Sequence, residues 1–348
     1  MAAAIQTVDL SAHTLQHTSF SSSSSSSSST SPVLAQKQEA GEALVKALHE
    51  KGFVRISGHG FSFAEIQEAF DWSKALFDLP LAEKLKAPHP KGSLPHRGYS
   101  SLGQEKLPDR NRERGSQRIM DYKESYEIGS EEDDCQHNIW LPEEVLPGFR
   151  GYTSGLYERF ADFAKIVLEA VALGLGLDGE EREELMKLGS RPHCQLRLLH
   201  YPTIDKDSVG REVGGRLPAH TDWGSFTMLF QDQHGGLELL DPSSGEYVRA
   251  EPEEGTILLN VADMFRRLTN GYFNSALHRV SIPNRDSVHQ AGIPSRYSIP
   301  FFVGPAPSHT VTSLPRLITA ECPARYDPVR FEDYGALVGK SHYRSEDP

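Results

Sequence analysis

The sequence predicts a mainly β protein with flanking helices: a sandwich or jelly-roll core entered through a helical N-terminal part. Three observations predict it. From Cys194 onward the chain falls into short β-type runs separated by turns, the spacing of a two-sheet antiparallel fold. The long helical periodicities lie before that point. No parallel βαβ alternation appears, nor any repeat of solenoid length.

The elements follow in order. Residues 5–10 read as a short strand. Ser21 to Ser29 are all serine and are closed by Thr30, Ser31 and Pro32. Such a tract has no apolar surface to offset its ordering entropy, so 19–32 is expected to be a disordered, solvated insertion. Over 36–51, Ala40, Ala43, Leu44, Ala47 and Leu48 form one helical stripe that Gly52 ends. A strand over 53–57 follows, and after Gly58-His59-Gly60 a helix runs from Phe63 towards Asp78. The stretch 87–114 is rich in Pro, Gly and charge and reads as a long loop; the acidic run 131–134 reads as a solvated face.

A strong helix is expected over 152–173. Leu156, Phe160, Phe163, Val167 and Val171 recur at three- and four-residue steps, and Gly174 and Gly176 stop it. Strands are then expected over 196–201, 225–231, 237–240, 256–261, 276–282 and 297–303. A chain of 348 residues exceeds one average domain, yet a single enlarged β-rich domain reaches that length.

Composition excludes several classes. Hydrophobic residues make up 38% and charged residues 24%, and no apolar run of about eighteen residues exists to cross a membrane. The start, MAAAIQTVDL, lacks a basic n-region and a long apolar h-region, so no secretory signal peptide is expected. Lys plus Arg total 36 against 48 Asp plus Glu, a formal charge of −12, which counts against nucleic-acid binding. Cys135, Cys194 and Cys322 stand far apart without a C-x-x-C pair. That argues against a disulfide framework or thiolate zinc and for a reducing, cytosolic setting.

The chemistry concentrates in the β part. His220-Thr221-Asp222 puts an imidazole and a carboxylate two residues apart, on one face if the segment is extended. His278 lies in another β-type run, far enough along the chain to return beside them. Two imidazoles and one carboxylate on one side of a metal form the facial triad of non-haem iron. Fifteen histidines occur, so an isolated H-x-D is unremarkable. The joint order H-x-D, then H, then Arg296-Tyr297-Ser298 is much less accidental. Arg296 and Ser298 share strand parity, and a guanidinium fork with a hydroxyl is a receptor for a carboxylate.

On these residues the sequence resembles the isopenicillin N synthase-like group of 2-oxoglutarate- and Fe(II)-dependent oxygenases. The resemblance rests on His220-Thr-Asp-Trp-Gly-Ser-Phe-Thr-Met-Leu-Phe-Gln231, Gly235-Gly-Leu-Glu238, Thr269-Asn-Gly271, His278-Arg-Val280 and Arg296-Tyr-Ser298, with FVRISGHG over 53–60 and LRLLHYP over 196–202. It implies a double-stranded β-helix, that is, a jelly-roll core over 190–305. Residues 1–150 would form an N-terminal, substrate-lining helical region, and 306–348 a C-terminal extension.

Carried over, His220, Asp222 and His278 would hold iron. Arg296 and Ser298 would bind the distal carboxylate of 2-oxoglutarate, and Tyr201 would hydrogen-bond that co-substrate. Many relatives carry an asparagine where this chain has Leu199. Tyr99, Glu124 and Trp223 are the candidate substrate contacts, with core packing the stronger reading for Trp223. Cys194 reads as a small buried apolar residue.

The implied reaction consumes 2-oxoglutarate and O2 and yields succinate and carbon dioxide while a small organic metabolite is oxidised. Hydroxylation, desaturation and ring rearrangement are the outcomes such chemistry allows, specialised metabolism is the expected setting, and ascorbate is a candidate reductant. A monomer acting on a small molecule is expected, with no nucleic-acid or membrane partner. The alternatives are a same-family iron oxidase that dispenses with 2-oxoglutarate, and a non-catalytic jelly-roll binding protein.

Overall fold

The structure, a computed structural model, describes residues 5–14, 32–91, 96–104, 122–208, 216–282 and 292–342. The expected serine insertion lies outside the described residues apart from Pro32, and so does much of the expected 87–114 loop. The chain opens with β1 (Thr7–Asp9) and the single turn α1 (Ser11–Thr14), followed by α2 (Pro32–Lys51) and β2 (Phe53–Ser57). Next come α3 (Phe63–Phe77), α4 (Leu81–Lys84), β3 (Gly98–Ser100), β4 (Glu124–Ile128), α5 (Phe149–Gly174) and α6 (Gly179–Met186).

The β-rich half supplies β5 (Gln195–Tyr201), β6 (Leu217–His220), β7 (Phe226–Gln231), β8 (Leu237–Leu240), β9 (Tyr247–Arg249) and β10 (Ile257–Val261). The short α7 (Asp263–Leu268) leads to β11 (His278–Val280) and β12 (Arg296–Val303), and the chain ends in β13 (Thr310–Val311), β14 (Val329–Arg330) and α8 (Phe331–His342). Two sheets make the jelly roll. The larger runs β1-β2-β10-β7-β12-β5-β4-β3, and the smaller β6-β11-β8-β9.

Both faces of the large sheet are covered, and the period of two along its strands separates two chemistries. On β12, Ile299, Phe301 and Val303 join the main apolar cluster beneath the helices. Arg296, Ser298, Pro300 and Phe302 instead line the cavity between the sheets. Leu196 and Leu198 of β5 follow the first set, while Leu199 and Tyr201 belong to a separate cluster on the cavity side.

The helical layer is fixed by its own sequence. Ser62 and Glu65 form a reciprocal capping box that starts α3. The expected stripe of α5 is buried throughout. It meets the sheet through an aromatic cluster in which Phe160 stacks on Phe301, with ring centroids 5.1 Å apart and planes within 7°. Gly174 does more than end α5. It lies against Gly41 of α2, where a β-carbon on Gly41 would sit 2.6 Å from the Ala170 carbonyl oxygen; only glycines let the two backbones come this close.

One local expectation is corrected. The acidic run 131–134 is not a uniformly solvated face: Asp133 is buried and ion-paired to Arg97 at 2.8 Å.

The C-terminal segment is fastened to the core. Tyr334 donates from its hydroxyl to Asp263 Oδ2 at 2.6 Å, and Asp263 Oδ1 accepts from Ser275 at 2.7 Å.

Candidate active site

The sheet register brings the two histidines together: His278 of β11 pairs directly with His220 of β6, with ring centroids 4.2 Å apart. Nδ1 of His220 lies 2.9 Å from the Pro218 carbonyl oxygen, and Nδ1 of His278 lies 3.0 Å from that of Ala276. A carbonyl only accepts, so each Nδ1 carries the proton and each Nε2 presents its lone pair. Both Nε2 atoms face Asp222 Oδ1, at 3.8 and 3.9 Å.

The carboxylate is oriented from behind. Asp222 Oδ2 accepts from Thr227 Oγ1 at 2.6 Å and from Asn260 Nδ2 at 2.7 Å, which leaves Oδ1 for the point the imidazoles address. The H-x-D segment is not one continuous strand, because β6 ends at His220. Asp222 stands in the following loop, whose path is set by Asp263 N donating to Asp222 O at 2.9 Å. Gly224 lets this loop lie against β12, since a β-carbon there would collide with the Val303 carbonyl oxygen.

Electrostatics suit a cation. Burial, then the charge of His278, hold His220 well below the ordinary imidazole range. Burial alone would raise Asp222, but His278, His220, Thr227 and Asn260 hold it below the ordinary carboxylate value. Neutral imidazoles and an ionised carboxylate are the states a divalent metal needs, so the donor set fits one.

Arg296 is 1% exposed. Its Nε donates to Gly235 O at 2.7 Å and its Nη1 to Ser298 Oγ at 3.1 Å. Among the described residues it meets no carboxylate, so a buried guanidinium here fits an anionic ligand. Tyr201 lies beneath it, with the ring centroid 5.1 Å from the guanidinium carbon. Arg216, which the sequence reading missed, stands 5.7 Å from the same ring. Burial, then repulsion from Arg296, push its pKa down to about 10.

These groups share one cavity, whose walls include Phe53, Leu199, Leu229, Leu237 and Val280. Lys123 and Arg197 also line it. Neither was singled out from sequence, although Arg197 has the strand parity of Leu199 and Tyr201.

Two candidate substrate contacts lie outside the cavity lining. Glu124 pairs with His200, and Tyr99 with Tyr126, on the helix-covered face of the sheet and away from His220, Asp222 and His278. There Glu124 binds Lys84 at 2.8 Å, Tyr99 at 2.5 Å and His200 at 2.7 Å. This is a satisfied buried network behind the site. Trp223, the third candidate, is half-buried in the loop after Asp222. Cys194 is buried and its thiol is pushed up to about 12 by burial, which makes it inert.

A jelly roll carrying two histidines, one carboxylate and a buried arginine defines the architecture of a non-haem iron oxygenase. Residues 179–305 match the profile of the 2OG-Fe(II) oxygenase superfamily, and 23–144 match the profile described as non-haem dioxygenase in morphine synthesis N-terminal. The 2-oxoglutarate-dependent dioxygenase frbA of Dothideomycetidae sp. (strain 11243) is 34% identical, over 84% of this chain and 88% of that protein. The proline hydroxylase buaE of Petromyces alliaceus is 36% identical, over 83% and 89%. Full-length T7H of Neurospora crassa, solved with α-ketoglutarate (2-oxoglutarate), superposes with a TM-score of 0.79 at 28% identity, covering 97% of this chain and 95% of that one. The chain belongs to the 2OG-Fe(II) oxygenase superfamily. It is an oxidoreductase, a dioxygenase that uses Fe(II), 2-oxoglutarate and O2.

Proposed function

We propose that His220, Asp222 and His278 hold the iron, and that Arg296 and Ser298 receive the distal carboxylate of 2-oxoglutarate. The observation that carries this reading is the convergence of two Nε2 atoms and Oδ1 on one point, in the same cavity as a guanidinium that meets no carboxylate among the described residues. Thr227 and Asn260 keep Asp222 turned towards the metal. Tyr201 gives the guanidinium an aromatic floor, and Arg216 adds positive potential at that end. The apolar walls would keep bulk water from the bound substrate. Fe(II) bound here supplies the oxidation of a C–H bond of the substrate, coupled to conversion of 2-oxoglutarate to succinate and carbon dioxide.

The substrate is a small organic metabolite of specialised metabolism, and the enzyme acts as a cytosolic monomer. The fungal relatives and the morphine-synthesis profile support the setting. No helix of the described residues is long and apolar enough to cross a membrane.

Calorimetry of 2-oxoglutarate binding to the Fe(II)-loaded protein under argon tests the assignment without knowledge of the substrate. Arg296→Ala is expected to weaken binding by about 2–5 kcal/mol, roughly thirtyfold to several thousandfold, the cost of stripping one partner from a buried charge pair. Unchanged affinity would reject Arg296 as the carboxylate receptor.

A further inference from the structure

A second cationic region, made of a half-buried arginine and a buried lysine, faces the cavity at its other end. Arg197 precedes Tyr201 by four residues on β5, about 13 Å of strand, whereas Tyr201 pairs directly with Arg296. Arg197 lies at the metal end. Its guanidinium carbon is 5.5 Å from the Phe302 ring centroid, and Phe302 pairs with Thr227, the residue that holds Asp222. Lys123, which is buried, lines the same region and its charge reaches His220.

The guanidinium is held in place. Glu127 pairs with Arg197 across β4 and β5, and its fully buried carboxylate meets Nη2 at 2.5 Å through Oε1. Its other oxygen, Oε2, faces His96 Nδ1 at 3.5 Å and His89 Nε2 at 4.0 Å. Those three side chains are close enough to suggest a second metal centre. Electrostatics speak against it: Glu127 is already paired with Arg197 and also feels the charge of Arg97, so a dication would enter among guanidinium groups. The cluster instead fixes the position of Arg197.

2-Oxoglutarate has no use for Arg197. Its distal carboxylate is received by Arg296 and Ser298, its nearer carboxylate is neutralised on the metal, and its five-carbon chain cannot span the cavity twice. We infer that Arg197, positioned by Glu127, anchors a carboxylate of the substrate, so that the enzyme takes small organic acids, amino acids included. A guanidinium fork recognises a planar carboxylate through two parallel hydrogen bonds and gains little from a neutral amide of the same shape. The inference rests on the metal and 2-oxoglutarate placement proposed above.

The test uses full-length, Fe(II)-loaded protein under argon, saturated with 2-oxoglutarate. Affinities are measured for L-proline, benzoate, phenylacetate and hexanoate, each against its primary amide. At least one acid should bind about tenfold or more tightly than its amide. Arg197→Met should erase that preference and Glu127→Gln should reduce it, both with 2-oxoglutarate affinity unchanged. Arg197→Lys, which keeps the charge and loses the fork, should retain part of it and serves if the methionine variant does not fold. Absence of acid preference across all four pairs overturns the inference, as does a preference that survives in Arg197→Met. Loss of 2-oxoglutarate affinity in Arg197→Met also overturns it by moving Arg197 to the co-substrate. Failure of the wild type to take up Fe(II) or 2-oxoglutarate would appear before any acid is added, and would refute the underlying placement instead.

Discussion

The two faces of the eight-stranded sheet share strands but not purpose. The face under α5 is sealed by Phe160, Phe230 and Phe301 in ring contact, and where polar groups enter it, as at Glu124, they are saturated with partners. The face towards the smaller sheet leaves Arg296 buried without a carboxylate among the described residues and turns three metal-type donors onto one point. Burial on the first face is stabilising. Burial on the second withholds partners from charged groups so that ligands supply them. The helical face should therefore govern folding, and the cavity face ligand affinity.

The largest effect on the helical side is expected from Phe160→Ala. Removing a fully buried ring from the stack should cost about 3–5 kcal/mol in denaturant unfolding, with Fe(II) affinity spared in whatever fraction remains folded. An equal loss of metal affinity in the folded protein would break the division between the faces.

Glu124→Gln comes next, at about 1–3 kcal/mol, because it leaves Lys84 without its charged partner. Burial alone would raise this carboxyl, but hydrogen bonds from His200, Lys84 and Tyr99 hold it below the ordinary glutamate value. A depressed folded value means that its contribution is fully present above the ordinary glutamate pKa and disappears as pH falls through the folded one. Stability measured against pH should thus show a shallower acid limb in Glu124→Gln than in the wild type. An unchanged limb would remove Glu124 from the titrating groups that matter.

The smallest effect should come from Tyr334→Phe. Losing the hydroxyl bond to Asp263 should lower stability by about 1 kcal/mol. Limited proteolysis should then release the C-terminal segment earlier; an unaltered cleavage rate would show that α8 is held by packing alone.

How legible this was in the sequence differed between the same two faces. The stripe of α5 was plain because one side of that helix is apolar and the other polar. The clustering of His220, Asp222 and His278 and the pair Arg296-x-Ser298 were legible because residue type and order point to them; period-two spacing joins Arg296 to Ser298, while Asp222 reaches its place from the loop after β6, which stops two residues short.

The face on which Tyr99 and Glu124 lie was illegible for a definite reason. β4 is buried on both faces along its whole length, so no alternation in ESYEI says which side chains enter the cavity. In QLRLLHY of β5 half-buried and buried positions occur on both faces, and Arg197 went unnoticed. Asp133 was hidden by its acidic neighbours, since its partner Arg97 lies 36 residues away, and only the fold joins them.

The central claim is that His220, Asp222 and His278 form one metal centre. Titration of the metal-stripped protein with Fe(II) under argon, read by calorimetry, tests it most directly. The wild type should bind one equivalent tightly, while His220→Ala and Asp222→Ala, still folded by circular dichroism, should lose that site. Retention of the full equivalent with unchanged affinity in either variant would contradict the account.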